Sequence, residues 1–150
     1  MNTSASASGT PPWANQVRPM RQTPLLSECI PPTLNAKVAK ESDPKEAAEC
    51  ARRLNEAFNQ LFVPATGAAR SDVVVCHGDV IRYFVMKALG VDTKAWLGMS
   101  VAHASLTVIR VQAGGGSMTV LAVGDVGHLP PNMQSWGDSD PQLVVPTGGR

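Results

Sequence analysis

The sequence predicts an α/β fold, and the order of its helical and β-rich segments supports this prediction. An amphipathic helical pattern over residues 43–62 is followed by an apolar run at 73–76, which leads directly into a second helical pattern at 79–89. Two β-rich segments, at residues 105–112 and 118–123, come next. The order of helix, strand, helix and hairpin is typical of mixed α/β domains.

The first helix begins at a capping motif. Asp43 is placed as the N-cap, Pro44 at the first helical position and Glu46 at the third, where its carboxylate can bond back to the cap. Apolar residues then recur at intervals of three and four, which predicts one buried face. They are Ala47, Cys50, Ala51, Leu54, Phe58, Leu61 and Phe62. Pro64 and Gly67 end the pattern.

The apolar run at residues 73–76 is β-branched except at its last position, which is typical of a central strand buried on both faces. His77 and Gly78 follow it directly, and Gly90 suits the left-handed conformation in which many helices end. A short helical turn is expected near residues 93–97. The two β-rich segments then flank a glycine-rich turn, which predicts a hairpin.

The composition bounds the size and the chemistry of the protein. With 150 residues and 43% hydrophobic residues, the chain is long enough for one core. Thirteen basic against twelve acidic residues leave a formal charge of +1, so we expect no nucleic-acid partner. No apolar stretch reaches the roughly 18 residues that favour a transmembrane segment. The three cysteines are irregularly spaced, which favours reduced thiols in an intracellular compartment over a disulfide framework.

The two ends differ from the middle of the chain. Residues 1–24 are predicted to be a disordered leader and residues 132–150 a flexible tail, since both are rich in Pro, Ser, Thr and Gly. Residues 25–131 form the predicted domain. Within the first 27 residues there is no Asp or Glu, and Arg18 and Arg21 are present, a composition that leans towards a mitochondrial targeting peptide. A disordered or non-native leader is the alternative.

The turn around His77 is the best candidate site. His77 ends the predicted strand and precedes a helix, the position at which α/β sheets bind ligands. The free amides and the positive dipole end of that helix favour a phosphate group, and Gly78 permits close approach of the backbone. The alternative is a structural role in which His77 caps the strand or bonds to a backbone carbonyl.

Two other kinds of site were weighed. Zinc bound by Cys76, His77, His103 and His128 is one alternative, but no pair among them has the usual ligand spacing. The Gly-x-Ser-x-Gly motif of serine hydrolases and the Lys-Ser/Thr end of a phosphate-binding loop are both absent from the sequence. The sequence therefore predicts neither a metal site nor a cofactor.

Three segments carry a family resemblance. They are LLSE at residues 25–28, VCHGDVIRY at 75–83 and GDVGHLPP at 124–131. Residues 25–131 resemble the C-terminal half of the domain of the histidine phosphatase superfamily, also called phosphoglycerate-mutase-like. Within that superfamily the resemblance is strongest to the mitochondrial serine/threonine protein phosphatases.

The resemblance implies a three-layer α/β/α sandwich and hydrolysis of phosphoserine or phosphothreonine in proteins through a phosphohistidine intermediate. It implies a mitochondrial location, with the cytoplasm as the alternative. By matching motifs, His77 resembles the second, phosphate-holding histidine and Glu28 the acid that protonates the leaving oxygen. Gly78, Arg82 and Ser105 resemble phosphate-binding positions, although Arg82 could instead serve the packing of its helix.

One departure from the family is large. The nucleophile of these enzymes lies in an Arg-His-Gly motif on the first strand, and in this sequence no arginine is directly followed by a histidine. The expectation is a truncated gene product or gene model that lacks the N-terminal strand and is inactive by itself. The apolar run at 73–76 would then be an exposed sheet edge through which the chain could form oligomers.

Two alternatives to a protein phosphatase stay open. One is a non-catalytic phosphate-binding or scaffold protein that keeps an anion pocket around His77 and Arg82. The other is a small-molecule phosphatase or phosphoglycerate mutase, although the segment at 124–131 points away from it.

Overall fold

The longest helix, α2 (Pro44–Leu61), begins where its capping motif predicts. The Oδ1 atom of Asp43 accepts hydrogen bonds from the backbone N–H groups of Lys45 at 2.7 Å and Glu46 at 3.1 Å. These bonds satisfy two of the amides that have no partner within the helix. The predicted start, end and buried face of this helix are confirmed.

The computed structural model describes residues 20–136, so the predicted leader and tail lie mostly outside the described residues. The division into leader, domain and tail therefore stays a prediction. The described residues also contain two further helices, α1 (Ala36–Glu41) and α3 (Gly78–Leu89), and two strands, β1 (Leu106–Val111) and β2 (Met118–Asp125). Short 3-10 turns occupy Pro24–Leu26, Thr93–Gly98 and Pro131–Met133. The predicted α/β class is confirmed.

The core lies between α2 and α3. Its buried cluster consists of Cys50, Leu54, Ala57 and Phe58 from α2, with Val80, Tyr83 and Phe84 from α3. Phe58 and Phe84 meet edge to face, with ring centroids 5.7 Å apart. Such aromatic pairs add to the stability that burial of apolar surface provides. The packing of α2 on α3 therefore fixes the positions of these two helices relative to each other.

The predicted hairpin is also present. β1 and β2 pair in antiparallel fashion, with Val111 opposite Met118 and Leu106 opposite Asp125. Residues alternate between exposed and partly covered along both strands, as expected for a sheet with one face towards the core. Gly114, Gly115 and Gly116 in the connecting turn all have positive φ, which explains the run of glycines.

Helix α1 was not predicted. It has six residues, none of them buried, so it leaves no apolar period in the sequence. Its start does carry a local signal, because Oδ1 of Asn35 accepts hydrogen bonds from the N–H groups of Lys37 and Val38 at 3.1 Å.

The predicted strand at residues 73–76 is wrong. This segment is not assigned to any strand, and Val73 and Val75 are 90% and 88% exposed. A strand requires a neighbour to complete its backbone hydrogen bonds, and within residues 20–136 the sheet consists of β1 and β2. The β-branched residues favour an extended backbone, as the sequence indicates. A strand also requires a partner strand, and the presence of that partner depends on residues elsewhere in the chain.

The prediction of three reduced cysteines is also wrong. Cys29 and Cys50 form a disulfide, with their Cα atoms 5.8 Å apart, and Cys76 is the free thiol among the described residues. The segment before α1 lies against the face of α2 that carries Cys50, which brings together two residues 21 positions apart. Irregular spacing in the sequence could not indicate this proximity.

None of the helices within residues 20–136 has both the length and the apolar character needed to cross a membrane.

Candidate active site

The N-terminus of α3 holds the centre of the candidate site. His77 is the N-cap residue, in an extended conformation, and its carbonyl accepts the first helical bond from the N–H of Ile81 at 3.0 Å. The His77 side chain makes no capping bond to the helix. Its Nδ1 atom instead lies 3.1 Å from Oε2 of Glu28. The two residues that the sequence predicts as phosphate ligand and acid are therefore in direct contact.

Glu28 reaches this position from a short loop. The preceding 3-10 turn is capped by Thr23, whose Oγ1 accepts a hydrogen bond from the N–H of Leu25 at 3.2 Å. Nη2 of Arg53 donates to the carbonyl of Ser27 at 2.8 Å. Cys29, on the other side of Glu28, is bonded to Cys50. The loop is thus held on both sides of the carboxylate.

The surroundings of Glu28 raise the pKa of its carboxyl. Burial raises the pKa of the Glu28 carboxyl above its ordinary value, and the nearby negative charge of Asp79 raises it further. His77 and hydrogen bonds from the backbone N–H groups of Asp79 and Cys29 lower that pKa, but less strongly. Glu28 therefore holds its proton to a higher pH than a free glutamate does. A residue that donates a proton near neutral pH requires this property.

Gly78 leaves open space at the first turn of α3. No atom lies within 4 Å of the position that a Cβ at Gly78 would occupy, and its φ is not in the left-handed region. The glycine is therefore not required by the backbone conformation or by packing. The space above it is compatible with the predicted close approach of a ligand to the backbone.

Arg82 lies one turn into α3 and is 6% exposed. Its Nη1 atom donates to Oδ1 of Asp79 at 3.2 Å, which compensates part of the charge of each partner. This burial and pairing suit the structural alternative for Arg82. Its direct contact with phosphate stays a prediction.

Ser105 lies just before β1. Its Oγ atom is buried and has no hydrogen-bond partner within residues 20–136, while its N–H donates to the carbonyl of Ala102 at 3.3 Å. No described contact joins it to His77 or Glu28. Its role in phosphate binding also stays a prediction.

The other candidate metal ligands, His103, His128 and Cys76, do not form a metal-binding group within residues 20–136. Nδ1 of His103 lies 3.0 Å from Oγ of Ser135, and His128 is exposed in the loop after β2. Burial raises the pKa of the Cys76 thiol. In the part of the chain that the structure describes, no three His, Cys, Asp or Glu residues are arranged to hold a metal ion.

Three residues of this region were missed by sequence reasoning. Asp79 carried a local signal, because it precedes Arg82 by three positions on a helix. Arg53 contacts Ser27 across 26 positions, and Cys29 pairs with Cys50 across 21. Both of these contacts depend on the folded chain, so no local pattern reveals them.

The chain is similar to known proteins. Residues 31–124 match the profile of the Histidine phosphatase superfamily (branch 1), a range that includes His77, Gly78, Arg82 and Ser105 but not Glu28. The chain is 38% identical over 109 residues to the "Serine/threonine-protein phosphatase Pgam5, mitochondrial" of Caenorhabditis elegans, which covers 71% of this chain and 38% of the relative. The protein of the same name from Caenorhabditis briggsae is 38% identical over 111 residues, with the same coverage.

A third relative of that name, from Drosophila grimshawi, is 38% identical over 81 residues, which covers 52% of this chain and 28% of the relative. The chain thus spans well under half the length of the curated relatives that it matches. Its helices and small antiparallel sheet are consistent with part of the phosphoglycerate-mutase-like α/β fold that the sequence predicts. Since the family profile covers more than half of its residues, the chain belongs to the histidine phosphatase superfamily.

Proposed function

We propose that this chain forms part of the active site of a phosphatase that hydrolyses phosphoserine and phosphothreonine in proteins. The observation that carries the proposal is the contact of 3.1 Å between His77 Nδ1 and Glu28 Oε2 at the N-terminus of α3. The names of the relatives, all serine/threonine-protein phosphatases, support the choice of substrate.

The chemistry follows from this arrangement. With Nδ1 of His77 facing Glu28, Nε2 is the ring nitrogen that donates to a phosphate oxygen, next to the amides of the first turn of α3. A nucleophilic histidine forms an N–P bond as the bond from phosphorus to the serine or threonine oxygen breaks. Glu28 gives its proton to that oxygen, so that a neutral hydroxyl leaves. Arrival of the phosphate dianion raises the pKa of Glu28 further, because a nearby negative charge disfavours the ionised carboxylate.

The nucleophile is the component that we do not assign to this chain. No arginine is directly followed by a histidine in the sequence, and Nδ1 of His77 is in contact with Glu28. The proposal therefore places the phosphohistidine intermediate in a complete domain, and the present chain is inactive by itself.

Phosphate binding by His77 tests the proposal directly. Titration of the chain with inorganic phosphate, followed by NMR of the histidine rings, is expected to shift the His77 signals in a saturable manner. Substitution His77→Ala, which removes the ring donor, is expected to weaken binding about tenfold, the value of one hydrogen bond to a charged group. His128→Ala is the matched control, because His128 is exposed and has no described contact with His77 or Glu28, so the affinity should stay unchanged.

Lack of any response of the His77 signals to phosphate would overturn the proposed pocket. Inactivity is checked with a phosphothreonine peptide, from which the purified chain is expected to release no phosphate above the buffer rate. Turnover that disappears in His77→Ala would contradict the statement that the nucleophile lies outside the chain.

The alternative is a non-catalytic phosphate-binding protein, and the missing Arg-His pair is the observation that favours it. Both proposals predict phosphate binding without turnover. The two proposals differ in what they predict for the transcript. A phosphatase domain requires an in-frame Arg-His-Gly segment upstream of Met1, whereas a non-catalytic phosphate-binding protein does not. Sequencing of the transcript from its start distinguishes the two.

Self-association through residues 73–76 is a further part of the proposal. Val73 and Val75 are 90% and 88% exposed on an extended segment that pairs with no described strand, so the same segment of a second copy can pair with it. Sedimentation velocity is expected to show oligomers of the chain that dissociate in a Val73→Lys, Val75→Lys variant. The control is Val91→Lys, which replaces a 49% exposed valine elsewhere. A monomeric parent chain, or equal effects of both variants, would rule this surface out.

We also propose a mitochondrial location, which rests on the names of the relatives. Fractionation of cells that express the full chain with a C-terminal tag is expected to recover it with mitochondria, and recovery in the cytosolic fraction would contradict this.

A further inference from the structure

We infer that the Cys29–Cys50 disulfide, together with Arg53, positions Glu28 against His77, so that reduction of the disulfide releases Glu28 from the site. The inference rests on the proposed function for its consequence in catalysis. Its structural content, the position of Glu28, can be tested separately.

The first step is the local geometry around Glu28. The segment 27–29 belongs to neither a helix nor a strand, since the preceding 3-10 turn ends at Leu26. Such a segment is held by its own contacts rather than by regular backbone bonds. On one side of Glu28, Nη2 of Arg53 binds the Ser27 carbonyl at 2.8 Å. On the other side, the disulfide bonds Cys29 to Cys50.

Both anchors stand on the same helix. Cys50 and Arg53 are three positions apart on α2, so they lie on adjacent turns of one face. Cys50 is 3% exposed and belongs to the core cluster in which α2 packs on α3. Because α3 begins immediately after His77, the core fixes the distance between the two anchors and the histidine. Through Arg53 and the disulfide, the packing of α2 on α3 therefore determines where the Glu28 carboxylate lies.

A small reductant can reach the disulfide from the side of Cys29, which is half-buried, whereas Cys50 is 3% exposed. The disulfide lines an open groove together with residues of the first turns of α2, among them Lys45 and Glu49. A dithiol can attack there. The disulfide then accepts two electrons and two protons to give two thiols, while the dithiol becomes a cyclic disulfide. Of the two anchors, the Arg53 bond to the Ser27 carbonyl is the one that remains in the reduced chain.

The test follows the position of Glu28 in the absence of phosphate. Its carboxyl pKa is measured by NMR titration in the oxidised chain and in the chain reduced with dithiothreitol. Burial is the largest cause of the raised pKa of Glu28, so release is expected to return the value towards the ordinary one of about 4.3. Arg53→Met is expected to shift the pKa in the same direction in the oxidised chain, and Arg53→Lys, which keeps a cationic donor, to shift it less.

Two cysteine variants control the chemistry. In Cys29→Ser, Cys50→Ser the pKa of Glu28 should already be low and should not respond to dithiothreitol, whereas Cys76→Ser should respond like the parent chain. Alkylation followed by mass spectrometry should modify one thiol per chain before reduction and three after it, in accord with the single free cysteine among the described residues.

The outcomes are separable. A Glu28 pKa that is unchanged by reduction, or three alkylated thiols before reduction, would overturn the inference. Loss of the helical circular dichroism signal on reduction would also overturn it, because the disulfide would then hold the whole fold rather than one loop. A pKa that responds to reduction in a chain that binds no phosphate would support the inference and count against the proposed function.

Discussion

Substitution Leu54→Ala is expected to lower the free energy of unfolding by about 3–5 kcal/mol, the cost of removing a buried leucine and leaving a cavity. Leu54 is 0% exposed and belongs to the buried cluster between α2 and α3, together with Phe58, Val80 and Phe84. Urea denaturation followed by circular dichroism measures the effect. This loss is a large fraction of the stability of a typical small domain.

The matched control for this prediction is Leu89→Ala. Leu89 is the last residue of α3 and is 54% exposed, so its truncation is expected to change the free energy of unfolding by less than about 1 kcal/mol. Equal stability of the two variants would contradict the described packing of α2 on α3. It would also remove the basis on which Glu28 and His77 are placed together.

The parts of the fold that could be predicted are those with local causes. Helix α2 was predicted because Asp43 and Pro44 define its start. The end of α3 was predicted because position 90 is a glycine, and in the structure Gly90 adopts φ +68°. These features depend on neighbours within one turn of the chain. The segment at 73–76 was misjudged because its β-branched residues favour an extended backbone but do not supply a partner strand.

The candidate site divides in the same way. His77 could be found from its place before a helix, and Glu28 from its resemblance to a family motif. Their contact, and the disulfide and arginine that hold Glu28, arise from residues more than 20 positions apart. No pattern in one sequence encodes such distances. Only the tertiary structure shows that His77 and Glu28 lie in one site.

Substitution Asp79→Ala is expected to destabilise the chain by about 3 kcal/mol, because it removes the carboxylate that compensates a buried guanidinium. Arg82 is 6% exposed, and its Nη1 atom lies 3.2 Å from Oδ1 of Asp79. A smaller part of the loss comes from the favourable placement of an acidic residue in the first turn of a helix. The same substitution should lower the pKa of Glu28, since the charge of Asp79 raises it.

The companion variant decides what Arg82 does. If its role is structural, the double substitution Asp79→Ala, Arg82→Met should be more stable than Asp79→Ala, because the buried guanidinium is then removed together with the carboxylate that compensates it. Both unfolding free energies come from urea denaturation, and phosphate affinity is measured on the same samples. A double variant that regains stability and still binds phosphate as Asp79→Ala does would assign Arg82 to the packing of α3. A loss of less than about 1 kcal/mol in Asp79→Ala, together with weaker phosphate binding in Arg82→Met, would instead return Arg82 to the phosphate site that the family resemblance implies.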